Sequence, residues 1–338
     1  MRNIIRTICL ILCLAVALTV ISACGGASAN NAVQNNQPAD NIADAPAALP
    51  EQNNGMDGAQ DTLPAYDREG FPITLPERID TIISIGPSNT EVLAALGFGD
   101  AIIQTDRHSA DVPGIRPEIA TFDLMSLDLE YIINLAPDIV FVTGLTRAGG
   151  EEDPLRQVTA TGITVIYMPS SASIADIKED IRFMAAVMRA ASAGEEIVEY
   201  MSREIDRIRE IAQTAAERRK VYFEIAPAPN MISFGAGTFL NEIIEIAGGV
   251  NIFADKEGWV RISDEGLFES NPDVILTSVD FIDDPIGEIM GRPGWSALTA
   301  VQNGDVFAID TGASNRPNHN IIIALQEIAA AIHPDKFQ

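Results

Sequence analysis

Apolar and polar positions along the chain fall into two alternating patterns, and the alternation occurs twice. From Tyr66 onward, short β-branched runs near 79–85, 101–104, 138–143 and 163–168 are separated by helical patterns. Strand runs that alternate with helical stretches in this way predict a parallel sheet. After about residue 219 the pattern starts again, with strands near 220–226, 273–277 and 305–309 and helices near 238–247, 264–271 and 318–332. The chain therefore divides into two α/β lobes, 66–192 and 219–338. Between them, Ile197, Met201, Ile205, Ile208, Ala212 and Ala215 recur at steps of three and four, which marks one face of a helix. Ser192 is positioned as its N-cap. A helix over 195–218, within a connecting segment 193–218, is about 36 Å long, enough to join two lobes as a stiff strut. The alternative is an ordinary surface helix of the second lobe.

An internal correspondence supports the division. The stretch from Leu129 to Val140 is echoed by the stretch from Asp264 to Ile275, and in each a glutamate, Glu130 or Glu265, stands seven residues before a Pro-Asp pair. The pair ends a helix and opens a buried strand. An acid in a first helical turn favours the helix dipole, so the spacing alone is also satisfied by two solvated surface helices.

The N-terminus is of a different kind. Arg2 and Arg6 precede an unbroken apolar run from Ile8 to Leu18, followed by Ile21, Ser22, Ala23 and Cys24. A basic start, a short apolar core and small residues before a cut site make a secretory signal over 1–23. The run is too short to cross a ~30 Å hydrocarbon core, and no later stretch reaches the length a spanning helix needs. Small residues directly before a cysteine resemble a bacterial lipobox, in which Cys24 is diacylated and becomes the mature N-terminus. Cys9 and Cys13 leave with the leader, so the mature chain forms no intramolecular disulfide. Residues 25–65 hold seven Asn, four Gln, four Pro and four Gly, with no Lys, Arg or aromatic residue. They cannot form a core, and the segment 24–65 reads as a lipid-anchored flexible tether of about 30 Å root-mean-square span.

Composition excludes several classes. The 338 residues are 47% hydrophobic and 6% aromatic, as in a globular α/β protein. The formal net charge is −26, and loss of Arg2 and Arg6 with the leader makes it −28. Such a surface repels phosphate backbones, which argues against nucleic-acid binding. There is no P-loop, no His-Glu-x-x-His and no Gly-x-Ser-x-Gly, so an enzyme such as a lipoprotein hydrolase is disfavoured. Three histidines are a thin supply for a direct zinc or manganese binder.

The first loop carries the most local chemistry. Gly86-Pro87-Ser88-Asn89-Thr90-Glu91 follows a strand and opens a helix, at the carboxyl end of a parallel strand where open α/β sheets usually meet ligands. Free backbone N–H groups are expected there. Ser88 and Glu91 also have capping-box spacing, and Glu91 reads as a cap rather than a ligand.

These segments together resemble the solute-binding proteins of bacterial ABC transporters for vitamin B12, haem and ferric siderophores. The likeness runs from about residue 66 to the end. It rests on Pro-Ser-Asn-Thr-Glu at 87–91, Leu-Glu with Pro-Asp at 129–138, Gly-Gly-Val-Asn-Ile-Phe at 248–253 and Arg-Pro-Gly-Trp at 292–295. The resemblance implies a class III periplasmic-binding-protein fold: two Rossmann-like lobes with parallel central sheets, joined by one long backbone helix, with the solute in the cleft. It implies no intrinsic cofactor, a cobalt- or iron-containing solute, and a monomer that partners a permease dimer with its cytoplasmic ATPase. It further implies a lipid-anchored position on the extracytoplasmic face of the cell membrane. In the family, a glutamate at the tip of each lobe docks on permease arginines, and by motif these fall on Glu130 and Glu265. The solute-contacting positions carry over to Ser88 and Asn89, to Phe122 and Asp123, to Trp259, and to Arg316 and His319. For Trp259 the alternative is a core residue. Relatives that clasp a corrin often have an aromatic where this chain has Asp106-Arg107-His108. Arg107 and Arg316 can instead meet carboxylates or phosphate on the solute, and His108 or His319 can coordinate its metal or serve as plain hydrogen-bonding residues. The solute stays open among cobalamin or another corrinoid, a ferric siderophore and haem.

Overall fold

The computed structural model describes residues 63–123, 126–144 and 154–337. The proposed leader, Cys24 and nearly all of the proposed tether lie outside the described residues.

In the first lobe the β-branched runs form β1 (Ile82–Ser84), β2 (Ile102–Asp106), β3 (Thr121–Phe122), β4 (Ile139–Thr143) and β5 (Thr164–Met168). They make one sheet in the order β3-β2-β1-β4-β5, every pair parallel. The chain builds outward from β1 in one direction and then in the other, so the crevice beyond the carboxyl end of β1 lies at the switch point of the sheet. Helices α1 (Pro87–Ala95), α2 (Leu129–Leu135), α3 (Arg156–Ala160) and α4 (Ile174–Val187) connect the strands.

Helix α5 (Ala191–Ala212) joins the lobes. It begins and ends earlier than the sequence pattern predicts, so Ser192 lies inside it and makes no cap, and Ala215 lies beyond it. Its C-terminal side is closed by the Thr214 hydroxyl, which donates to the Ile211 carbonyl at 2.7 Å. The predicted apolar face is the buried one: Ile197, Val198, Met201, Ile205, Ile208 and Ala212. A Cβ at Gly194 would stand 2.4 Å from the Ala185 Cβ of α4, so this close helix–helix approach requires glycine.

The second lobe contains β6 (Lys220–Glu224), β7 (Ile232–Phe234), β8 (Val250–Asn251), β9 (Trp259–Arg261), β10 (Val274–Thr277) and β11 (Val306–Ala308). Four of them form a parallel sheet in the order β11-β10-β6-β8. β7 and β9 pair antiparallel, and an Ala226–Ile232 bridge attaches them beyond the carboxyl end of β6. The helices are α6 (Phe239–Ile246), α7 (Asp264–Ser270), α8 (Pro285–Met290), α9 (Thr299–Asn303), α10 (Thr311–Asn315) and α11 (Ile321–Ile332). Helix α5 packs on α4 of the first lobe and on α6 and α11 of the second. Its buried side chains belong to one apolar core that takes in residues of both lobes. Each fully buried Ile or Met contributes about 1.5–3 kcal/mol, so the helix is held from both sides as a strut and is not a surface helix of one lobe.

Two of the sequence motifs are structural. Gly248 has φ +79, and a Cβ on Gly249 would press on Ile332, Val221 and Ile244. Both glycines let the end of α6 turn directly into β8. Asn251 then ties the turn together, its amide donating to the Phe234 carbonyl (2.9 Å) and to Asn241 Oδ1 (3.0 Å). In Arg-Pro-Gly-Trp, Arg292 is a buried guanidinium that grips Glu224 with two bonds of 2.6 and 2.9 Å. It also bonds Glu288 (Nε to Oε1, 2.9 Å) and lies 4.4 Å from the centroid of the Trp295 ring. Trp295 Nε1 in turn donates to Asp264 Oδ1 at 3.1 Å, at the start of α7.

Candidate functional site

The loops beyond the carboxyl ends of the two parallel sheets meet one another through cross-lobe hydrogen bonds. On the first-lobe side the chain leaves β1 through Gly86, whose φ of +111 turns it into α1 with Pro87 at the first helical position. The Gly86 N–H is not free: it donates to Asp106 Oδ2 at 2.8 Å. Asp106 is fully buried and also accepts from the His108 N–H (2.8 Å) and the Ser109 hydroxyl (2.5 Å), so it fastens the first loop to the second. The helix has no side-chain cap bond, and the Ser88–Glu91 capping box does not form.

Glu91 points to the other lobe instead. Its carboxylate is 7% exposed and accepts from Asn318 Nδ2 at 2.5 Å, from Asn320 Nδ2 at 2.8 Å and from Arg316 Nη1. Arg316 Nη2 continues to the His108 carbonyl at 3.3 Å. The loop that carries these donors is anchored to the second sheet: the Thr311 hydroxyl donates to the Ser278 carbonyl (2.7 Å), and the Ser278 N–H donates to the Glu224 carbonyl at the end of β6 (3.1 Å). A second contact spans the lobes where the Ile174 N–H, at the start of α4, donates to Glu242 of α6 at 2.9 Å.

The sequence-derived positions divide into groups. Arg316 and His319 belong to this crossing, and the Arg316–His108 bond brings in the second loop. His319 Nδ1 is buried and has no partner among the described residues. Burial lowers the His319 pKa and the nearby Glu91 carboxylate pulls against it, with a net shift downward, so the ring is neutral at pH 7. Asn89 is 6% exposed and donates to the Ile85 carbonyl at 3.1 Å, bracing the turn, while Ser88 is half-buried. Arg107 and His108 are exposed, and Arg107 forms an ion pair with Asp123, joining the loops after β2 and β3. Phe122 is 6% exposed, sits in a core cluster and meets Tyr131 edge-on at 5.8 Å. Trp259 opens β9, half-buried, with its ring edge-on to Phe234 at 6.2 Å. Sequence reasoning missed Asn318 and Asn320 and gave Glu91 the wrong partner. The available signal was an acid embedded among the apolar neighbours Val92 and Leu93, which needs polar company from elsewhere.

The paired acids occupy equivalent places. Both α2 and α7 are seven residues long, both end on a left-handed residue (Ala136, φ 46; Asn271, φ 45), and both are followed by Pro-Asp. Asp138 accepts from the N–H groups of Asp80 and Thr81, each at 2.8 Å, and Asp273 accepts from the Lys220 N–H at 2.8 Å. Each carboxylate thus ties its strand to the central neighbour, β1 or β6. At Asp138, burial raises the pKa but these hydrogen bonds outweigh it and hold the carboxyl below its usual value. Glu130 and Glu265 are exposed in the first turns of their helices.

Two mostly parallel α/β lobes on one spanning helix, with a matching seven-residue helix in each lobe, define a two-lobed binding protein. The chain belongs to the periplasmic binding protein family, whose pattern it matches over residues 82–313. It is 28% identical over 274 residues to the uncharacterized ABC transporter substrate-binding lipoprotein YvrC of Bacillus subtilis, covering 80% of this chain and 86% of that protein. It is 26% identical over 254 residues to the vitamin B12-binding protein of Vibrio cholerae, covering 75% and 89%. A solved structure from Staphylococcus epidermidis, described as a possible iron-binding periplasmic solute-binding protein, superposes with a TM-score of 0.67 at 25% identity over 76% of this chain and all of that one. The fold expected from the sequence is the fold found. Among the described residues no group of three or more His, Cys, Asp or Glu side chains is placed to hold a metal ion, and no helix is long and apolar enough to cross a membrane.

Proposed function

We propose that this solute-binding protein captures a cobalt- or iron-containing complex, a corrinoid or a ferric siderophore, in the crevice between its lobes and presents it to an ABC permease dimer. The observation that carries the reading is the meeting of the loops beyond both sheets' carboxyl ends at Arg316, a guanidinium held between the lobes beside a neutral His319. The likeness to a vitamin B12-binding relative favours the corrinoid. Trp259, which opens β9 in the two-stranded pair beyond the carboxyl end of β6, supplies an aromatic face to the solute. Glu130 and Glu265 dock on the two permease subunits. Cys24 carries the lipid that keeps the protein on the extracytoplasmic face of the cell membrane; the mass of the mature N-terminal peptide should include a diacylglyceryl group at Cys24, and a free thiol there would contradict the anchor.

Fluorescence tests the crevice directly, because the chain has two tryptophans and Trp295 is 1% exposed. Titration with cyanocobalamin should quench mainly Trp259. Trp259→Ala should weaken binding by about 1–3 kcal/mol per folded molecule, beside the loss of stability that follows from removing its contact with Phe234. A large loss of stability with unchanged affinity per folded molecule would make Trp259 a core residue.

A further inference from the structure

Helix α1 carries an acid within a run, Asn89 to Leu93, that is buried on every side of the helix. Thr90, Glu91 and Val92 are each 7% exposed or less, and a carboxylate removed from water needs charge and hydrogen-bond partners. Its three side-chain partners all come from the second lobe, 225 to 229 residues away in sequence. Arg316 is the shared element. One arm is on Glu91 and another is on the His108 carbonyl. A guanidinium has five N–H donors, so these two bonds fix its plane and leave further N–H groups unused. Its neighbour His319 keeps a buried nitrogen with no partner among the described residues.

We infer that Glu91 is the positioning residue of the crevice. Its carboxylate clasps the lobes together and turns Arg316 so that the remaining N–H groups meet an anionic group, carboxylate or phosphate, on the solute. The inference rests on the binding reading above and adds the residue that orients Arg316 toward the solute. Two features favour this over a plain helix cap: the helix cap bond is absent, and among the described residues every side-chain donor to Glu91 lies across the lobe boundary. An amide at position 91 keeps the shape but offers one acceptor oxygen, without charge, to three donors that now share two, so either Arg316 or the Asn318–Asn320 pair loses its acceptor and the clasp opens while the apolar core is untouched.

Glu91→Gln in the full-length mature protein is the test, with Glu91→Asp as the conservative control. By hydrogen–deuterium exchange without solute, segments 86–95 and 311–320, one in each lobe, should exchange roughly tenfold faster in Glu91→Gln and return toward wild type in Glu91→Asp. Unchanged exchange in both segments overturns the clasp, whatever the solute. Binding is then measured with cyanocobalamin, which carries a phosphodiester, and with cobinamide, which lacks it. Glu91→Gln should lose about tenfold in affinity for cyanocobalamin and little for cobinamide, as should Arg316→Ala. Equal losses for both ligands, or a gain for cyanocobalamin, overturn the orienting role. A wild-type protein that binds neither corrinoid contradicts the proposed solute, and the exchange result still decides the clasp.

Discussion

Uptake should collapse when Glu130 and Glu265 are both replaced by Ala, while the affinity of the purified protein for its solute stays at the wild-type value. Both acids are exposed in first helical turns that the two lobes build alike, down to the left-handed residue and the Pro-Asp that follow. An exposed acid of this kind contributes within about 0.5 kcal/mol to folding, so melting should barely change. On a permease each carboxylate would lie against a cation with part of its water removed, and removing one partner of such a pair costs about 2–5 kcal/mol. Either single substitution should lower uptake, and the double one should nearly abolish it. Undiminished transport by the double variant would leave the two acids as ordinary helix-dipole partners. Weakened solute binding would put them in the crevice instead of on the docking face.

The largest effect on stability is expected at Arg292→Leu. The change leaves Glu224, 1% exposed, without the guanidinium that holds both of its oxygens. It also strips the Trp295 ring of its cation and frees Glu288. An uncompensated buried charge costs about 3–5 kcal/mol, a large part of the roughly 5–15 kcal/mol that holds a domain together. The melting temperature should fall by on the order of 10 °C. Pairing Arg292→Leu with Glu224→Met removes the stranded charge and should recover most of the loss, because Glu288 is 34% exposed in its side chain and can turn to water. A double variant as unstable as the single one would mean that the Arg292 contacts with Trp295 and Met231, and not the ion pair, carry the stability.

Much of the fold is legible in the sequence because its strands are apolar runs bounded by helical period: β1, β2, β4, β5, β6, β10 and β11 all fall within or beside the predicted runs. The helices α6, α7 and α11 do as well. What escapes is short or paired at a distance. β3 and β8 are two residues each, and β7 and β9 become strands only by pairing with each other across 24 residues of intervening chain. The strut is readable from its apolar face, but its ends are not, since Ala190 caps nothing and the helix stops where Thr214 takes a carbonyl. The crevice is harder still. Ser88 and Glu91 have the spacing of a local capping box, and only the folded chain puts Arg316, Asn318 and Asn320 within reach of that acid. Asp106 shows the same limit: a charged loop residue by sequence, it is the buried acceptor that joins two loops. Local spacing records what a residue can do with its neighbours, whereas burial against the other lobe decides what it does.

Capture of a metal complex between the lobes is measured by offering the mature protein an equal mixture of cyanocobalamin, a ferric siderophore and haem, passing it through gel filtration, and recording its absorbance. The protein should emerge with about one equivalent of a single metal complex, identified by its corrin, charge-transfer or Soret band, and Arg316→Ala should retain less of it. A protein that emerges without any of these bands, or that retains the complex unchanged in Arg316→Ala, contradicts the assignment of the crevice.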